Sequence, residues 1–122
     1  TGGSAGGHLT ALTALTPHDP EYQPGFEDAD TSVQAAVPFY GVYDFAAATG
    51  SRKARQMRDG FLGPRVLFKD PRQEIEHFER ASPLLRVNAD APPMFVIHGT
   101  HDSLVAAGGL YADLYRTQFA HT

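Results

Sequence analysis

Apolar residues open the chain at the spacing of one helix face. Over 4–16 (SAGGHLTALTALT), Leu9, Leu12 and Leu15 fall at i, i+3 and i+6 with Ala5, Ala11 and Ala14 between them. That periodicity predicts an amphipathic helix, and Pro17 stops it. Residues 17–30 hold Pro17, Pro20, Pro24 and Gly25 and five acidic residues with no Lys or Arg, which predicts a polar loop. Val33, Ala35, Ala36, Val37 and Phe39 make 32–40 a near-continuous apolar run, as in a strand covered on both faces. Pro38 has no N–H, so it belongs at that strand's end or at an edge. A second such run, residues 94–98 (MFVIH), is the clearest strand in the chain, and residues 106–118 read as a closing helix. Between the strands, 51–80 mixes short helical signals with Gly60, Gly63, Pro64 and Pro71. Its last part, 71–80, reads as a helix with Pro71 at the first position. A loop over 81–92 leads to the second strand.

Apolar strands alternating with amphipathic helices place the chain in the α/β class with a parallel sheet. Two strands are too few to satisfy such a sheet's edges, so the sheet is expected to be incomplete. The chain opens on Thr1-Gly2-Gly3-Ser4 with no initiator Met. Both features predict that its 122 residues are one piece of a single α/β domain, with 51–80 as a cap or lid segment. Open sheet edges would also let such a piece pair with copies of itself.

Charge and composition narrow the chemistry. The formal net charge is −4, which disfavours nucleic acid as a general partner, because phosphate binding needs clustered cations. Cationic residues do cluster once: Ser51–Arg72 holds seven Lys and Arg against two acids. That stretch reads as a solvated cap face more readily than as an anion site. There is no cysteine, which removes disulfides, thiolate zinc sites and cysteine catalysis together. No apolar run approaches the roughly 20 residues needed to span a bilayer.

The glycine cluster carries the first candidate chemistry. Gly2-Gly3-Ser4-Ala5-Gly6 fits G-x-S-x-G and runs directly into the predicted helix. A nucleophilic serine at a sharp strand-to-helix turn sits in a strained backbone conformation, and its neighbours must be small where the backbones pass. The amide of the next residue, Ala5, then faces a developing oxyanion. No Lys follows to make a phosphate loop, and no register gives the dinucleotide fingerprint. The plain alternative is a flexible linker, but a linker has no reason to run into a leucine-patterned helix.

The second constellation is Ile97-His98-Gly99-Thr100-His101-Asp102-Ser103-Leu104-Val105. Asp102 lies four residues past a strand's C-terminal end, where active sites of open parallel sheets form. It follows Ser4 in the order of a serine–acid–histidine triad. Alone it also suits a turn or helix cap. His98, His101 and Asp102 sit on a strand end and turn rather than on one helix face, so a metal site is not expected, and no cofactor is. His8 is expected to pack near the turn rather than act as a base. His98 is expected to be core or to support the site from behind. Tyr40, Tyr43 and Phe45 follow a strand end and are candidates to line an acyl pocket, with core packing as the equal alternative.

Taken together, Thr1–Leu9, Tyr40-Gly-Val-Tyr-Asp44, Ala81-Ser-Pro-Leu84 and Ile97–Val105 resemble α/β-hydrolase-fold carboxylesterases and lipases. The nearest likeness is to bacterial esterases of the hormone-sensitive-lipase-like and ferulic-acid-esterase-like branch. The resemblance implies an eight-stranded sheet and hydrolysis of small-molecule esters through an acyl-enzyme. It puts Ser4 on the nucleophile, Ala5 on the oxyanion amide and Asp102 on the triad acid. It also implies a histidine beyond a further strand, which His121 does not match, and an upstream oxyanion loop. The chain alone is therefore expected to be almost inactive. A peptidase of the same fold and a non-catalytic interaction piece are the alternative readings.

Overall fold

A computed structural model describes residues 1–99 of the chain. Asp102, the expected helix over 106–118 and His121 lie outside the described residues. Gly2–Gly3 form strand β1 and Ala5–Leu15 form helix α1. Pro38–Phe39 form β2, which runs parallel to β1 in the register Gly2 to Pro38 and Gly3 to Phe39. Residues 94–97 lie parallel on the other side of the 36–39 segment, bridged at Ala36–Met94 and Phe39–Ile97. The expected parallel α/β arrangement is therefore present, with β2 in the middle.

Pro38 opens β2, but β2 is not the edge that a proline predicts. The Ala36 N–H donates to the Pro93 carbonyl at 3.1 Å, and the Tyr40 N–H donates to Ile97 at 2.7 Å. Between them the parallel pattern requires a donor from residue 38, which proline lacks. The ladder accordingly splits into two bridges while Pro38 is fully buried. The strand is also shorter than the apolar run over 32–40 predicts. Residues 32–35 are exposed, and burial begins at Ala36.

Helix α1 forms where expected, with part of the expected apolar face turned inward. Gly7, Ala11, Ala14 and Leu15 are buried, whereas Leu9 is 58% exposed. Small residues dominate the buried face, because α1 packs directly against β1 and β2. Backbones that approach this closely leave room for hydrogen or methyl side chains only.

The 51–80 segment begins at Ser51, whose hydroxyl accepts the Ala54 N–H at 3.1 Å and caps helix α2, Arg52–Met57. The chain then widens into a π-helical stretch, Arg58–Leu67, which carries Gly60, Gly63 and Pro64 without stopping. The breakers loosen the helix rather than end it. Phe68, at φ 54°, closes it. Helix α3 spans Ile75–Arg80, not 71–80. Pro71 belongs instead to a turn in which the Asp70 carboxylate accepts from the Arg72 N–H and the Asp70 carbonyl accepts from Glu74. An Asp-Pro pair that satisfies its own turn delays the helix.

Leu62 and Phe78 join Phe45 and Ala46 in one buried cluster, with Val42, Leu67, Ile75 and Ala81 around it. The acidic loop is tied down by a group that composition does not reveal. Gln23 is 2% exposed, donates to the Phe26 and Ala29 carbonyls and accepts from the Thr31 hydroxyl.

Candidate active site

Ser4 joins β1 to α1 at φ 55° and ψ −116°. That pair of angles lies outside the left-handed helical well and costs on the order of 1–3 kcal/mol for a residue with a Cβ. Packing holds it there. The Ser4 N–H donates to the Phe39 carbonyl at 3.0 Å, and the Ser4 carbonyl accepts from His8 at 3.0 Å. A serine at a helix N-cap ordinarily accepts a bond from the first turn. Here no side-chain cap bond forms, and Ser4 is exposed.

The tight junction around this turn explains its glycines. A Cβ on Gly2 would lie 2.6 Å from the Gly6 carbonyl oxygen. A Cβ on Gly7 would collide with the Phe39 carbonyl oxygen, and one on Gly41 would lie 2.6 Å from the His8 nitrogen. Gly6, the second glycine of the G-x-S-x-G pattern, has open space instead. The crossing of α1 over β2 is thus made at Gly7 and Gly41.

Ala5 is the first residue of α1 and is exposed. Its N–H has no carbonyl one turn back within the helix and sits where the helix dipole favours negative charge. Beside it, the C-terminal ends of three parallel segments come together: Ser4 after β1, Tyr40 after β2 and His98 after 94–97. Tyr40 holds φ 37°, and its hydroxyl would lie 2.9 Å from a Cβ on Gly3, directly before Ser4. The Tyr43 hydroxyl accepts the Gly41 N–H at 3.1 Å, and its ring lies 5.7 Å from the exposed His98 ring. His98 is therefore at the rim rather than in the core.

Phe45 takes the packing alternative. It is 5% exposed, sits in the main cluster and stacks on His8 with ring centroids 4.3 Å apart. Too little of its ring is open to form a pocket wall. His8 packs as expected. Its Nε2 lies 2.7 Å from the Ala81 carbonyl oxygen, an atom that only accepts, so Nε2 carries the proton. Burial pushes the His8 pKa below 6.5, against the opposing pull of that carbonyl. Ser82, in the Ala81-Ser-Pro-Leu84 segment, has a role that its sequence context does not signal. Fully buried, it accepts the Ala46 N–H at 2.9 Å and donates to the Phe78 carbonyl at 2.8 Å. Asp44 holds the turn after Tyr43. Partial burial would raise its pKa, but bonds from the Thr49 hydroxyl and the Thr49 and Ala48 amides outweigh this and lower it.

No group of three or more metal-ligating side chains occurs among the described residues. An open cleft of about 370 Å³ between α1 and residues 33–36 is lined by Thr1, Leu9, Thr13 and Val33 and carries no titratable side chain.

Parallel strands, a helix leaving the first of them and strand ends gathered at the turn fit the α/β-hydrolase class. The comparisons with known proteins carry that class to a family. The BD-FAE family profile matches residues 1–109, and the chain belongs to this family. It is 55% identical over 106 residues to "Probable carboxylic ester hydrolase LipM" of Mycobacterium tuberculosis (strain ATCC 25618 / H37Rv), covering 86% of the chain and 24% of that protein. "Esterase LipQ" and "Esterase LipC" of the same organism are 49% and 44% identical. Those two alignments cover 86% and 85% of the chain and 24% and 26% of the relatives. The chain thus spans about a quarter of the length of the curated relatives it matches. No solved structure matches it significantly.

Proposed function

We propose that this chain supplies the nucleophile side of a serine carboxylic ester hydrolase. The observation that supports this most is Ser4, an exposed N-cap serine in strained backbone that forgoes its cap bond. In the reading proposed here, the Ser4 hydroxyl attacks an ester carbonyl while a histidine takes its proton. Asp102 orients that histidine, and the Ala5 N–H helps hold the oxyanion. The alcohol leaves with the proton, the acid remains as an ester on Ser4, and water releases it by the same route in reverse. Tyr40 and Tyr43, at the strand ends beside Ser4, border the acyl group. None of the chain's histidines is assigned the base: His8 is committed to Ala81 and Phe45. The names of three relatives, each an esterase or carboxylic ester hydrolase, favour esters over peptides.

The test is turnover of a short-chain p-nitrophenyl ester by a family-length protein containing this chain. Ser4→Ala lowers kcat by on the order of 10⁴-fold or more with the fold intact. The 122-residue chain alone stays near the Ser4→Ala level. Full turnover by Ser4→Ala removes the assignment, and faster cleavage of a peptide amide than of the ester would favour the peptidase.

A further inference from the structure

Residues 52–68 present an unusual surface. Leu62 is 2% exposed and pins the segment to the core beside Phe78. Around that anchor Met57, Phe61, Val66 and Phe68 face outward, Phe68 being 79% exposed. The cations Arg52, Lys53, Arg55 and Arg65 are exposed among them and make no ion pair among the described residues. The stretch 51–72 carries a local charge of +5, from seven bases and two acids, in a chain of net −4. Other exposed apolar residues differ. Phe95 and Val96 lie in an uncharged run on the outermost of the three parallel segments, as a sheet prepared for more protein would show. A protein core covering 52–68 would have to bury four unpaired cations, which is costly.

We infer that residues 52–68 form a docking surface for an anionic phospholipid membrane. The chemistry matches on both counts. Exposed aromatic and aliphatic side chains enter the headgroup–acyl boundary, while long Arg and Lys side chains reach phosphate oxygens. The neighbouring cleft of about 540 Å³ is not the contact, because Asp59, Asp70 and Glu74 line it beside Phe68 and Lys69. Those carboxylates are partly neutralised, Asp59 by Arg58 at 2.8 Å and Glu74 by Lys69 at 3.4 Å. The inference does not depend on the role of Ser4.

The experiment is flotation of the protein with phosphatidylglycerol vesicles and, separately, with phosphatidylcholine vesicles, across a salt series. The expected result is flotation with phosphatidylglycerol alone, falling as salt rises. Each cation near an anionic surface contributes about fivefold, so the triple variant Arg52→Gln, Lys53→Gln, Arg55→Gln weakens binding by roughly 100-fold. Phe61→Ser with Phe68→Ser also weakens it, whereas Phe26→Ser, at a phenylalanine of the acidic loop as exposed as Phe61, does not. Equal flotation with both lipids, none with either, or binding unmoved by both sets of substitutions overturns the inference. So does a low-salt dimer, seen by sedimentation and lost in the triple variant, without vesicle binding; that result would assign the surface to a second copy. The salt series on the unaltered protein keeps the test independent of how any variant folds.

Discussion

The Ser4 turn and the 52–68 segment are held in opposite ways. At the turn, backbone meets backbone: Gly7 and Gly41 let α1 cross β2, and the Phe39 carbonyl fixes the Ser4 amide. Almost nothing there depends on a large side chain. The 52–68 segment hangs chiefly on one, Leu62, with Phe78 behind it and Leu67 packed alongside, and leaves most of its other positions to solvent. A backbone junction tolerates no change in what it lacks. An anchored segment tolerates changes everywhere except at its anchor, and is free to carry charge and apolar surface together.

The largest way to break this comparison is through the anchor. Phe78→Ala empties a site that is 0% exposed and is expected to cost about 3–5 kcal/mol. Urea unfolding should show a lower midpoint, and limited proteolysis should cut first within 52–69. Gly7→Ala comes next, at about 3 kcal/mol, the upper end of overpacking, because its Cβ meets the Phe39 carbonyl and backbone must move. It should disturb the Ser4 turn and lower ester turnover more than Phe78→Ala does at matched stability. Gly6→Ala, with nothing within 4 Å, should be close to neutral.

Ser82→Ala tests the tie between Ala46 and α3, behind the Leu62 anchor. It removes the acceptor for the Ala46 N–H, and a buried donor left unpaired costs about 1–3 kcal/mol. Replacement by Thr, which keeps the hydroxyl, should recover part of the loss. The smallest effect is pH dependence through His8. Burial lowers its pKa in the folded chain, so the unfolded chain binds the proton more readily. The His8 contribution is therefore complete above pH 6.5 and is lost as pH falls from 6.5 through the lower folded value. Unfolding midpoints measured on either side of pH 6.5 should converge in His8→Gln. A wild-type midpoint that rises on acidification would contradict the assigned burial.

Much of this was legible in the sequence, and the misses have physical causes. The helix after Ser4, the parallel strands and the strained serine follow from periodicity and from the glycine pattern around Ser4. The exposure of Leu9 on α1 does not, because leucine spacing ignores how closely a helix can approach bare backbone. Pro38 falls at a strand end, one of the two places expected of it, and β2 need not be an edge because one missing rung between two sound bridges is an acceptable cost in a buried strand. Pro71 opened a turn rather than a helix because Asp70 supplied a local competitor for the backbone. The place of Phe45 after a strand left pocket lining and core packing equally open, and its burial against His8 favours packing. The work of Ser82 and Gln23 is invisible in the sequence, since their partners lie along other segments or in an irregular loop.

The central claim is that Ser4 is the reacting hydroxyl. Its most direct test is treatment of a family-length protein with a fluorophosphonate, followed by mass mapping of the modified peptide. The account predicts one adduct, on Ser4, and none in Ser4→Ala. An adduct on another serine, or labelling that persists in Ser4→Ala, would contradict it.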